Sequence, residues 1–142
     1  MKHPTPIRYF LAKSEPGVYS IDSLKRDKQT LWDGVTNPQA VRAIKDMQPG
    51  DRVFIYHSGG VSAIAGIALV LSAGRPDPKN PKSAVVDLEY LATLDSPTTL
   101  AEIKQSKLFD DWALVRQSRL STMPVPEKFL SWMREKYPKA GI

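Results

Sequence analysis

The sequence predicts an α+β fold, a mixed β-barrel of about five to six strands flanked by short helices. Three observations carry that prediction. Strand-like apolar segments of unequal length recur along the 142 residues. Short helices with recognisable start signals fall between them. The regular strand–helix alternation of a doubly wound sheet is missing.

Each element has a local reason. Arg8-Tyr-Phe-Leu-Ala-Lys13 is short and aromatic-rich, as a buried first strand should be. Ile21, Leu24 and Leu31 place one apolar edge on a brief helix over Ser20 to Arg26. Asn37-Pro38 is an N-cap followed by a first-turn proline, so a helix is expected to run to about Met47. Its apolar face is Ala40, Val41, Ile44 and Met47. After the Pro49-Gly50-Asp51 turn, Arg52 to His57 and Ala63 to Ser72 read as two strands around Ser58-Gly59-Gly60. The tract Arg75 to Lys82 carries three prolines, which remove donors and fix φ, so it is expected to be a flexible loop. Ala84 to Leu94 is the next strand. Thr99-Leu-Ala-Glu102 is a capping box that opens a short helix, and Leu108 to Asp111 forms a turn. Arg119 to Val125 is the last strand. Pro126 then opens a terminal helix through about Tyr137, packing through Phe129, Trp132 and Met133.

Composition narrows the function. The chain fits one domain, given roughly 100–200 residues per domain. It has no cysteine, so neither a disulfide framework nor a thiolate zinc site is available. Its two histidines, His3 and His57, supply no metal set, and no cofactor is implied. Met1 to Pro6 lacks the apolar run of a signal peptide and is expected to be flexible; a cytoplasmic protein is expected, nucleoid-associated if bacterial. The net charge of +5 suits a polyanion partner, although the basic residues are scattered and only Lys25-Arg26-Asp27-Lys28 clusters.

The chemistry concentrates in two stretches. Lys13-Ser14-Glu15-Pro16 ends the first strand, and Trp32-Asp33-Gly34-Val35-Thr36-Asn37 leads into the capped helix. Together they offer a face for a flat ring and hydrogen-bonding groups beside it. Trp32 is either a core side chain or that face. Glu15 and Lys13 are either a surface ion pair or, with Ser14, a base-edge and phosphate contact. Asn37 is fully explained as a cap, yet a helix N-terminus also presents N–H groups to an anion. Tyr56-His57-Ser58 closes a strand, but no G-x-S-x-G elbow makes Ser58 a nucleophile. Gly66 lets backbone or ligand approach a strand closely.

In order along the chain, these motifs resemble the EVE domain, a branch of the PUA-like superfamily that includes the thymocyte nuclear protein family and is related to YTH domains. The matching pieces are Tyr9 to Pro16, Tyr19 to Leu24, Trp32 to Ala40, Gly50 to Ser58, Ile64 to Ala68, Val85 to Leu88, and Arg116 with Arg119 to Val125. Each is weak alone; seven in sequence are specific. The resemblance implies a PUA-like barrel that binds nucleic acid and captures a modified base, such as 5-methylcytosine or 5-hydroxymethylcytosine in DNA or N6-methyladenine in RNA. It implies a base pocket of Ser14, Glu15, Trp32, Asp33, Gly34, Asn37, Tyr56, His57, Ser58 and Leu120, with Lys13, Arg42 and Arg119 on the backbone. DNA is the favoured partner; modified RNA, including transfer RNA, is the alternative. From other classes, a small hydrolase using His57, Ser58 and Asp33 and a protein–protein adaptor stay as competitors. No catalytic set, metal or membrane is expected.

Overall fold

The computed structural model describes residues 6–142, so His3 and all but Pro6 of the expected flexible start lie outside the described residues. Twelve elements follow in chain order: β1 (Tyr9–Ser14), α1 (Ile21–Asp27), β2 (Gln29–Val35), α2 (Pro38–Asp46), β3 (Arg52–His57), β4 (Ala63–Val70), β5 (Arg75–Asp77), β6 (Asn80–Thr99), α3 (Leu100–Ser106), α4 (Ala113–Arg116), β7 (Thr122–Pro124) and α5 (Glu127–Lys136). The seven strands form one curled mixed sheet, a half-barrel, in the order β2-β6-β4-β3-β1-β7, with β5 added on β6. Among the described residues only β1 and β3 pair in parallel, Tyr9 opposite Arg52 through Ser14 opposite His57. A parallel pair needs a long crossover, and α1, β2 and α2 supply it.

The two ends of the sheet, β2 and β7, are not bonded to each other. Helix α2 packs against both β6 and β7 and so spans the opening between the two flanks. It can do so because Ala40, Val41, Ala43 and Ile44 fall on one buried face. The core fills the curl with Phe10, Leu11, Phe54, Ile55, Ile64, Ile67 and Leu88. A second group of rings, Phe109, Trp112 and Phe129 with Trp132 on the flank, anchors α4 and α5.

Helix starts follow local chemistry closely. Ser20 and Ser23 cap α1 reciprocally, and Asn37 Oδ1 accepts from the backbone N–H of Gln39 and Ala40 at 2.9 and 3.2 Å. Thr99 and Glu102 make the expected capping box on α3. Gly66 is a close-approach position, as anticipated: a Cβ there would stand 2.5 Å from the Ile21 side chain and 2.6 Å from the Ala92 carbonyl oxygen.

Several expectations need correction. The stretch around Trp32, read from the sequence only as a lead into the capped helix, is strand β2, because β6 pairs with it from Gln29 opposite Glu89 to Val35 opposite Ala84. The proline tract is not a flexible loop. Its residues make β5 and the start of β6, joined by a tight turn in which Asp77 and Asn80 side chains hold the N–H groups of Lys79 and Lys82. Proline is tolerated there because β5 is an edge strand. β6 is far longer than Ala84 to Leu94, since it is paired in turn by β2, β5 and β4. β7 is only three residues, and Arg119 lies in the turn before it.

Candidate functional site

A cleft of about 400 Å³ opens along the seam between the β2 edge and the β1–β7 side of the half-barrel. Its walls come from the end of β1 (Lys13, Ser14), the turn that follows (Val18, Tyr19), β2 from Thr30 to Val35, and Ser121 before β7. Other clefts on the molecule have similar volumes, so size does not single this one out. Its chemistry does: an indole, a lysine ammonium, a carboxylate and several hydroxyls share one concavity.

Trp32 is 9% exposed and belongs to the edge of the core while also lining the cleft. Tyr19 meets it edge-on, with ring centroids 6.4 Å apart and planes at 79°. Beyond Trp32 the strand bulges. Trp32 pairs with Val86 and Val35 with Ala84, so Asp33 and Gly34 take up one extra residue. Gly34 accommodates this with φ of +79°, a left-handed conformation that costs other residues energy. The bulge leaves Asp33 exposed at the cleft wall.

Across the seam, Lys13 is half-buried. Its Nζ donates to the Ser118 carbonyl at 3.0 Å and lies 5.5 Å from the Tyr56 ring centroid. Among the described residues it has no carboxylate partner within ion-pair distance. Burial holds its pKa below the ordinary lysine value, because a desolvated ammonium is disfavoured. Ser14 Oγ donates to the Tyr19 carbonyl at 2.6 Å, which ties the turn Glu15–Ser20 back onto β1.

The structure thus brings Lys13, Ser14, Trp32, Asp33 and Gly34 together. The remaining expected residues lie elsewhere. Glu15 is exposed, and its backbone carbonyl accepts from Val18 and Tyr19. Asn37 is occupied as the α2 cap, outside the cleft lining. Tyr56 is buried behind Lys13, and burial raises its pKa. Ser58 donates its N–H to the Ser14 carbonyl. His57 lines a different cleft, with Val61, Ala65 and Glu102 among others. Its Nε2 accepts from the Ile21 N–H at 3.0 Å, and burial lowers its pKa despite the charge of nearby Asp22. His57 and Asp33 therefore share no cleft, which removes the geometry of the hydrolase alternative. Leu120, expected in the pocket, is a core residue; its neighbour Ser121 is the one that lines the cleft. Arg42 and Arg119 are exposed, on α2 and on the turn beside Ser118.

Tyr19, Thr30 and Ser121 are cleft residues that sequence reasoning missed. Tyr19 carried a signal, since it stood next to the helix cap. Thr30 and Ser121 carried none; only strand pairing brings them to Trp32. Among the described residues no three His, Asp or Glu side chains cluster as a metal site would, and no helix is long and apolar enough to cross a membrane.

Comparison with known proteins converges on one group. The profile of the EVE domain matches residues 8–136. Human thymocyte nuclear protein 1 is 30% identical over an alignment covering 92% of this chain and 75% of that protein; the chicken protein is 28% identical, with 64% of its length covered. Among solved structures, a protein from Agrobacterium tumefaciens superposes with a TM-score of 0.85 at 29% identity, covering 95% of this chain and 96% of that one. The human protein, crystallised with DNA containing 5-methylcytosine, superposes with a TM-score of 0.82 at 26% identity, covering 93% and 98%.

Proposed function

The chain belongs to the EVE domain family, and we propose that it is a nucleic-acid-binding module that holds a modified cytosine of DNA in the seam cleft against Trp32. The observation that carries this reading is the pairing, in one concavity, of an indole with a half-buried ammonium that, among the described residues, no carboxylate neutralises. A cation in that state gains most from an anionic ligand, and phosphate is the anion a nucleic acid supplies. The human relative solved with methylated DNA supports the choice of ligand.

Each residue has a role in this account. Trp32 gives the base a face, worth roughly 1–3 kcal/mol per base. Asp33 and Ser14 accept from an exocyclic amine such as cytosine N4. Lys13 meets a phosphate, and the exposed Arg42 and Arg119 extend the backbone contact. Recognition of the modification needs more than space. One buried methyl contributes only about 0.8 kcal/mol, roughly fourfold in affinity. Greater selectivity requires a polar partner left unpaired by the wrong base, which a hydroxymethyl group provides and a methyl does not.

Binding of short oligonucleotides tests the proposal. Cytosine, 5-methylcytosine and 5-hydroxymethylcytosine DNA, with matched RNA carrying N6-methyladenine, are titrated at two salt concentrations against the parent and Trp32→Ala. Modification-dependent affinity for DNA that disappears in Trp32→Ala is the expected result. Preference for the RNA set would reassign the ligand, since only RNA offers a 2′-hydroxyl. Affinity that follows salt alone would reject the pocket.

A further inference from the structure

The lip of the cleft carries a feature that base capture alone does not use. Val18 is 78% exposed, yet it lines the same cleft as Trp32. It stands on the Glu15–Ser20 turn, after Pro16 and Gly17. This turn is tightly held. Val18 and Tyr19 both donate their N–H to the Glu15 carbonyl at 2.9 Å. Ser14 Oγ ties down the Tyr19 carbonyl, and His57 Nε2 receives the Ile21 N–H just beyond. An aliphatic side chain is thereby fixed in solvent on a rigid arm. On the facing strand Leu31, 47% exposed, gives the cleft a second apolar edge.

Resting on the nucleic-acid reading above, we propose that Val18 is a wedge, and that the ligand is duplex DNA from which the modified base has been flipped. Extruding a base leaves a gap in the stack and two neighbouring faces exposed to water. An apolar side chain inserted at the vacated step recovers part of that loss, as aliphatic wedges do in proteins that kink DNA. A ligand that is already single-stranded has no such gap, so Val18 is specific to duplex capture. The rigidity of the turn matters because a mobile arm would lose order on insertion. His57 and Ser14 are positioning residues for it.

The test uses the full chain with one modified cytosine placed in a duplex or in the same single strand, and 2-aminopurine as its neighbour to report unstacking. Val18→Ala is compared with Val18→Leu and with Trp32→Ala. Val18 is exposed, so neither of its variants threatens the fold. Val18→Ala is expected to lose about tenfold in duplex affinity, with a smaller 2-aminopurine signal and a far smaller loss on the single strand, where Val18 is only part of the cleft wall. Val18→Leu should retain both. Trp32→Ala should lose both strand forms. If Trp32→Ala weakens both forms while Val18→Ala changes neither, or both equally, the wedge is rejected and the pocket stands. If Trp32→Ala changes nothing, the pocket reading fails and the wedge fails with it.

Discussion

Trp32 and Trp112 are almost equally buried, 9% and 7% exposed, but they sit in different chemistry. Trp112 is surrounded by rings, with Phe129 at 4.6 Å and Phe109 at 6.3 Å, and its indole N–H donates to the Pro124 carbonyl at 3.0 Å. Every need of that side chain is met inside the fold. Trp32 has one aromatic neighbour, Tyr19, and a wall of polar groups beside it. Among the described residues its N–H donates to no protein group, and it is not a buried orphan, so it reaches solvent. Burial alone therefore does not separate a structural tryptophan from a binding one; a solvent-accessible donor and the mixed lining do.

The contrast can be broken most severely at Trp112. Trp112→Ala should cost about 3–5 kcal/mol of stability, read as a lower urea midpoint, while the folded fraction still binds the modified oligonucleotide. Equal loss of binding per folded molecule would show that the two regions are coupled. Trp32→Ala should instead act on binding, losing about 1–3 kcal/mol there and less stability than Trp112→Ala. A next, smaller effect is expected at the bulge. In Gly34→Ala the new Cβ meets no atom within 4 Å, so the cost of about 1–2 kcal/mol comes from backbone strain alone. Reshaping the bulge should also weaken binding, whereas a neutral result in both assays would make it irrelevant to the cleft.

Asn37→Ala sharpens the comparison from outside the cleft. Loss of the cap should cost about 1 kcal/mol of stability and leave affinity unchanged, since Asn37 Oδ1 is engaged with Gln39 and Ala40. The smallest effect is that of pH. His57 is held below its ordinary pKa, so the unfolded chain binds a proton more readily. Its contribution is fully present above the unfolded value of about 6.5 and is lost as pH falls through the lowered folded one. Thermal unfolding of the parent should shift slightly downward over that interval, and His57→Gln should flatten the shift.

What the sequence made legible was local. Ser20, Asn37 and Thr99 sit beside the N–H groups that they cap, so the starts of α1, α2 and α3 follow from short motifs. β3 was equally plain, because a run of apolar residues needs no partner to announce itself. β2 was hidden, since Gln29, Asp33 and Gly34 are poor strand formers and only pairing with β6 holds them extended. The β5–β6 hairpin was hidden for the opposite reason: its prolines read as disorder until the edge position is known. The site divided in the same way. Lys13, Ser14, Trp32 and Asp33, named from two motifs, line the cleft; Glu15 and Leu120 do not although Ser14 and Ser121 beside them do, and Asn37 lies two residues beyond Val35, the last cleft residue of β2. Tyr56, His57 and Ser58 lie one strand over, on the far side of β1, where a run of polar residues in sequence says nothing of which cleft they face.

The most direct test of the central claim is intrinsic tryptophan fluorescence during titration with DNA carrying 5-methylcytosine or 5-hydroxymethylcytosine, in the parent and in Trp32→Phe. A base stacked on Trp32 should quench the parent's emission in proportion to occupancy, and the quenching should vanish in Trp32→Phe, which keeps Trp112 and Trp132. Quenching that persists in Trp32→Phe, or binding without any change in the parent, would place the base elsewhere and contradict the account.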